Sequence, residues 1–146
     1  MIATISKDFT FEAAHRIVGG YQGKCASLHG HSYKLTVILE GSVDELGMVK
    51  DYNDLNVVKE WVDKFLDHAT IVSDKDKQLI DLLNSMDDPQ QKTYIIPYCN
   101  TTAENLAAHI YFTLNDYVLE RGCTWSLKAV VVKETEKTSA TFANVQ

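Results

Sequence analysis

The residues of this chain best equipped for chemistry are His29-Gly30-His31, His15 upstream of them, and Cys25 four positions before His29. They gather three imidazoles and a thiol in one short stretch of a chain with only 5 His and 3 Cys. Neutral imidazole is the commonest side-chain metal ligand, and a catalytic zinc takes three protein ligands and keeps a fourth position open. Zinc is therefore the first choice for His15, His29 and His31, although nickel, copper and iron accept the same donors. A thiol beside such a site could move a proton or act as a nucleophile. Lys24 next to Cys25, together with a nearby dication, would favour the thiolate.

This chemistry needs the three rings on one surface. Residues 4–15 read as a strand in which Ile5, Phe9, Phe11 and Ala13 share one parity and His15 continues it. Residues 29–40 alternate again, with His29, His31, Tyr33, Leu35, Val37 and Leu39 on one side. A hairpin-like pairing of the two segments brings His15 alongside His29 and His31, and the three form a triangular base for a metal.

Other elements must hold this pair in place. Leu55, Val58, Val62 and Phe65 mark a helix over about 53–65. A second periodic segment covers 73–86, and 94–96 is a short extended piece stopped by Pro97. The clearest helix is 102–120, opened by the capping-box spacing of Thr101 and Glu104 and closed by Gly122. Strands over 124–134 and 138–145 end the chain. Two strands, helices and two more strands predict one α+β domain over 1–146, a four-stranded antiparallel sheet with helices on one face. The open edges of such a sheet point to oligomerisation.

The formal net charge of −6 argues against a nucleic-acid binder, yet leaves room for a small anionic substrate in a local positive pocket. The first residues lack the pattern of a signal peptide, and no run approaches the ~18 apolar residues of a membrane span. The expectation is a cytoplasmic protein with reduced thiols and no membrane partner. Cys99 and Cys123 adjoin predicted core elements and read as small buried apolar residues.

Two further polar groups have double readings. Asp67-His68, at the end of the first helix, could relay protons, but locally reads as a histidine at a helix C-terminus. Glu134 follows the apolar run Ala129-Val130-Val131-Val132. It is either a solvated strand end or a bidentate acceptor for an N–H/NH2 edge, as in guanine-like or pterin rings.

Six segments together carry a resemblance: Phe11-Glu12-Ala13-Ala14-His15-Arg16, Cys25-x-x-x-His29-Gly30-His31, Gly47-Met48-Val49-Lys50-Asp51-Tyr52, Leu66-Asp67-His68, Thr102-Ala103-Glu104-Asn105-Leu106 and Lys133-Glu134-Thr135. In this order the chain resembles the 6-pyruvoyltetrahydropterin synthase / 6-carboxytetrahydropterin synthase family over most of its length. The resemblance implies a tunnelling fold (T-fold) whose sheets join into a barrel, often as two trimers face to face, a homohexamer with pterin pockets between subunits. It implies that His15, His29 and His31 hold Zn2+, that Cys25 transfers the proton with Asp67 and His68 as a second acid/base element, that Glu134 anchors the pterin edge, and that Thr102 contacts it.

Three residues between Cys25 and His29 resemble the bacterial 6-carboxytetrahydropterin synthases of queuosine-precursor synthesis; the pyruvoyl-forming enzymes carry a longer gap. The expected substrate is 7,8-dihydroneopterin triphosphate. The expected products are 6-carboxy-5,6,7,8-tetrahydropterin, acetaldehyde and triphosphate. The alternatives are a pyruvoyl-forming enzyme and a non-catalytic relative that only binds zinc or pterin. Arg16, Lys24 and Lys137 are candidate phosphate contacts. Two departures stand out: Asn100-Thr101-Thr102 replaces the Asn-Pro-Thr of many relatives, and 74–97 is longer than in the shortest bacterial members.

Overall fold

A computed structural model describes residues 1–145 of the chain. Strands β1 (Ile2–His15) and β2 (His29–Ser42) pair antiparallel along their whole length, from Ile2 opposite Ser42 to His15 opposite His29. Their alternation decides which side is buried. Phe9, Phe11, Ala13 and His15 of β1, with Tyr33, Leu35, Val37 and Leu39 of β2, turn inward, while Asp8, Thr10 and Glu12 stay exposed.

A short 3-10 turn over Tyr52–Leu55 leads into α1 (Asn56–Phe65). Then come β3 (Ala69–Ser73), α2 (Lys77–Ser85), β4 (Lys92–Ile96), α3 (Ala103–Glu120) and the hairpin of β5 (Ala129–Thr135) and β6 (Thr138–Ala143). The sheet order is β4-β3-β1-β2-β5-β6. The four antiparallel strands predicted from the sequence are β1, β2, β5 and β6. Two short strands extend them to six, β3 parallel to β1 and β4 parallel to β3. The run Ala69-Thr70-Ile71-Val72-Ser73 is rich in β-branched residues, which favours a strand, but five residues are too few to display a period.

Helices α1 and α3 lie on the inward face. Trp61, Leu66, Leu106, Ile110 and Leu114 form one core with Phe11, Leu35, Val130 and Val132. The segment after β3 forms a smaller core of its own, Val72, Leu79 and Leu83. Arg16 is committed there: its guanidinium donates to both oxygens of Asp76, at 2.8 and 2.7 Å, and Asp76 caps α2. That bidentate pair gives Arg16 a structural role at the start of α2.

Element ends differ from the sequence reading where side chains compete for backbone groups. The N-cap of α3 is Thr102, which accepts from the Asn105 N–H at 3.2 Å; Thr101 is buried and occupied elsewhere. Residues 124–128 precede the strand, and Leu127 donates its N–H to Asn115 Oδ1 of α3 at 2.7 Å. Cys99 is exposed rather than buried, and Cys123 is partly buried against the core. No helix among the described residues is long and apolar enough to cross a membrane.

Candidate active site

The register of β1 and β2 builds the centre of the site. His15 faces His29 across the ladder, and His31 lies two residues further on the same side, opposite Ala13. One nitrogen from each ring falls within 4.8 Å of the others. Phe11 and Tyr33 stack at 4.8 Å beneath them, and the Tyr33 ring meets His15 and His31 edge-on at 6.1 and 5.4 Å. This aromatic floor restricts the imidazoles to a few orientations.

Hydrogen bonds decide which nitrogens point inward. His15 Nδ1–H donates to the Thr101 carbonyl at 2.8 Å, and His29 Nδ1–H donates to the Ser27 carbonyl at 2.6 Å. A carbonyl only accepts, so in both rings the proton is on Nδ1 and the Nε2 lone pair is free. His15 Nε2 is buried with no hydrogen-bond partner. His29 Nε2 and His31 Nε2 are 3.1 Å apart. For His15 and His29, inward lone pairs with the opposite ring nitrogens bonded to carbonyls are the arrangement that orients histidines on a metal. The donor set fits a divalent ion of the zinc type.

Burial, followed by the charges of His29 and His31, lowers the His15 pKa to about 4, against the opposing bond to Thr101. Burial and then His29 lower that of His31. Both rings thus remain neutral, as a metal ligand must. A stability prediction follows for the metal-free protein. The unfolded chain protonates His15 near 6.5, and the folded chain does so only near 4. Between those values the unfolded state binds the extra proton, so stability falls as pH drops through the window, with His15 contributing up to about 3 kcal/mol. Denaturant midpoints at pH 7 and pH 4.5 should show the drop, and His15→Asn should reduce it. An equal drop in the variant would refute the assignment.

Beside the cluster, on the His15 side, lies a cavity of about 690 Å³, lined by His15, Cys25, Thr102, Glu104 and Glu134 among others. That size suits a small-molecule ligand. Cys25 sits in a 3-10 turn over Lys24–Ala26 just before β2, and its carbonyl accepts the Ile17 N–H at 2.8 Å. The 17–20 loop forms one wall and is braced by Asn100, which accepts from the Val18 N–H at 2.8 Å and donates to its carbonyl at 3.1 Å. Gly19 and Gly20, at φ +80 and +84, allow the loop to turn there. Glu134 approaches His15 and His31, with its oxygens 3.8 and 4.0 Å from their Nε2 atoms. Burial first, and then the charge of Glu104, raises the Glu134 pKa.

Glu104 was legible in the sequence only as a capping residue. Thr102 and Asn105 make the cap instead, and Glu104 lines the cavity from the first turn of α3. An acidic residue three positions after Thr101, in the first turn of the helix, was the available signal.

Asp67 and His68 stand apart from this cavity. His68 borders a second concavity, shared with Glu12, Ser32, His31 and Gln91. The pair is tightly placed: Asp67 Oδ1 accepts the Glu12 N–H at 2.9 Å, the His68 N–H donates to the Glu12 carbonyl at 2.6 Å, and Asp67 Oδ2 lies 3.0 Å from His68 Nδ1. His68 adopts the left-handed φ of 63, which ends α1 and sends its ring, 78% exposed, into solvent. The Glu12 N–H, ahead of His68 and Lys92, lowers the Asp67 pKa and keeps it anionic. Within one chain, then, His15, His29, His31, Cys25, Thr102 and Glu134 come together, and Asp67-His68 does not join them.

Solved structures define the class of fold. The chain superposes over 99% of its length on an uncharacterized protein from Wolinella succinogenes (TM-score 0.81, 22% identity, 99% of that chain). It superposes equally fully on the Plasmodium vivax 6-pyruvoyltetrahydropterin synthase (TM-score 0.75, 22% identity, 98% of that chain). This is the T-fold. The chain belongs to the 6-pyruvoyl tetrahydropterin synthase family, whose family model matches residues 4–144. Two curated relatives are named 6-carboxy-5,6,7,8-tetrahydropterin synthase. That of Rickettsia bellii is 41% identical over 102 residues, 68% of this chain and 71% of its own; that of Haemophilus influenzae is 38% identical over 115 residues, 73% and 78%.

Proposed function

We propose that the protein is a zinc-dependent lyase that converts 7,8-dihydroneopterin triphosphate and water into 6-carboxy-5,6,7,8-tetrahydropterin, acetaldehyde and triphosphate, a step toward queuosine-type 7-deazapurines. The observation that carries this reading is the clustering of His15, His29 and His31 beside a cavity that His15 and Cys25 line. Relatives 38–41% identical bear the name of the carboxy-forming enzyme, which supports that product over the pyruvoyl one.

A zinc ion held by His15, His29 and His31 would supply Lewis acidity, lowering the pKa of hydroxyls brought beside it. The protein's own groups do the rest. Cys25, as thiolate, takes a proton from the substrate side chain. His68, kept in orientation by Asp67, returns or removes another. Glu134 accepts the amino-imino edge of the pterin, with Glu104 as a second carboxylate on the same wall, and Thr102 contacts the ring from the start of α3. Because Asp67-His68 lies outside the cavity of its own chain, we assign it to the cavity of a neighbouring subunit in a homohexamer whose joined sheets form a barrel. The three free cysteines suit a cytoplasmic protein.

Product analysis tests the reading. Incubation with 7,8-dihydroneopterin triphosphate should release acetaldehyde and a carboxypterin, detected by mass spectrometry. A pyruvoylpterin without acetaldehyde would assign the protein to the pyruvoyl-forming branch. No turnover by the zinc-loaded protein would leave only a binding role.

A further inference from the structure

One glycine in the loop before Cys25 has no backbone reason to be a glycine. Gly19 and Gly20 adopt φ +80 and +84, a region that L side chains avoid. Gly23 does not: its φ of −86 and ψ of 173 are extended values that any residue adopts. What excludes a side chain at Gly23 is Tyr21. A β-carbon built on Gly23 would overlap the Tyr21 hydroxyl and ring edge, with Cε1 only 2.6 Å away. The Tyr21 ring thus lies against the bare backbone of Gly23 and fills the space of its missing side chain.

Gly23 is where the turn that carries Cys25 begins. Its carbonyl accepts the Ala26 N–H at 3.2 Å, and the Cys25 carbonyl accepts the Ile17 N–H at 2.8 Å. The turn is therefore tied to the end of β1 on one side and closes on Gly23 on the other. Upstream, Asn100 clamps Val18. Between these anchors Gln22 Nε2 donates to the Gly20 carbonyl at 3.0 Å, a bond that stays inside the loop. The Tyr21 ring instead reaches from the loop onto the turn, and it lines the same cavity as Cys25. Glycine visits the widest range of torsions, so a turn that starts on glycine is loose unless something fills the space beside it.

We propose that Tyr21 is a positioning residue for Cys25: its ring, seated on Gly23, holds the turn that presents the thiol to the cavity. This rests on the proton-transfer role of Cys25 proposed above. Neither Tyr21 nor Gly23 belongs to the histidine cluster, so zinc binding is not involved.

The test reads the thiol directly as well as through turnover. Wild type, Tyr21→Ala, Tyr21→Phe, Gly23→Ala and Gln22→Ala are treated with iodoacetamide under native conditions. Alkylation of Cys25 is followed by peptide mass spectrometry, with the exposed Cys99 as internal reference. Gly23→Ala suits the backbone and pushes away only the end of a flexible side chain, so it should reproduce Tyr21→Ala. In both, the ratio of Cys25 to Cys99 alkylation should rise at least about threefold as the turn loosens. With 7,8-dihydroneopterin triphosphate, kcat should fall about 10- to 100-fold while KM stays within about threefold, as a misplaced group requires and a lost substrate contact does not. Tyr21→Phe keeps the ring and should hold both readouts within about twofold of wild type; Gln22→Ala, which loosens the loop without touching the ring, should do the same. Zinc content should equal that of wild type throughout. A wild-type alkylation ratio in Tyr21→Ala and Gly23→Ala overturns the proposal. So does an equal rise in Gln22→Ala, or a Tyr21→Phe protein that behaves as Tyr21→Ala. A raised KM with unchanged kcat also overturns it and makes Tyr21 a wall of the substrate site. If wild type does not turn over the substrate, the lyase reading falls, and the alkylation ratio alone decides whether Tyr21 positions the thiol.

Discussion

The His29→Ala protein should fold, bind metal more than about 100-fold more weakly than wild type, and turn over at background. The affinity loss exceeds what changes in outer-shell partners usually cost, because a donor atom itself is removed. His29 is the best of the three histidines for the test. His15 is 2% exposed and bonded to Thr101, so its removal would also open a hole in the core and release the start of α3. His29 is the first residue of β2 and only partly buried, and the strand pairing beyond it survives without its ring. Metal content after gentle purification, and a melting curve of the metal-free form beside wild type, check the two halves of the prediction. A variant that keeps stoichiometric zinc and a normal rate would remove His29 from the ligand set.

Why this histidine cluster could be read from sequence, and much of its surroundings could not, has a physical cause. A strand repeats every two residues, so the parity of Phe9, Phe11, Ala13 and His15, and of His29, His31, Tyr33 and Leu35, is written locally. Once the two segments pair, the rings share a face, and the structure has His15 directly opposite His29. What orients the rings is not local. The carbonyl that fixes the His15 tautomer belongs to Thr101, eighty-six residues away, and no periodicity announces it. The same holds for Arg16, paired with Asp76 on a helix cap, and for Asp67, fixed by the backbone of Glu12. Glu134 was visible as a carboxylate after an apolar run. The register shift between Lys133 and Thr135 depends on how β6 returns, so the direction of the Glu134 side chain was not visible. Strand β3 was missed, and β4 was read only as the extended piece 94–96, for a related reason: five-residue strands draw their stability from neighbours rather than from their own pattern.

Cys25→Ala separates chemistry from assembly. The thiol lines the cavity but is not one of the clustered metal donors, so the variant should keep its zinc. Turnover should fall about 10²- to 10⁴-fold, the usual contribution of a positioned proton-transfer group. A normal rate would remove the thiol from the mechanism. The same variant also tests where His68 acts. His68, between α1 and β3, lines a different concavity from the Cys25 cavity of its own chain. If the two groups meet only across a subunit boundary, Cys25→Ala and His68→Ala proteins are each inactive alone. Co-expressed in equal amounts they should recover about a quarter of the wild-type rate, the share of boundaries where an intact Cys25 faces an intact His68 in a randomly mixed symmetric ring. Size-exclusion chromatography with light scattering establishes that mixed oligomers form. Mixed oligomers with no recovered activity would mean that Cys25 and His68 must come from one chain. The exposed Asp67-His68 pair would then need a conformational change, not a neighbour, to reach the cavity.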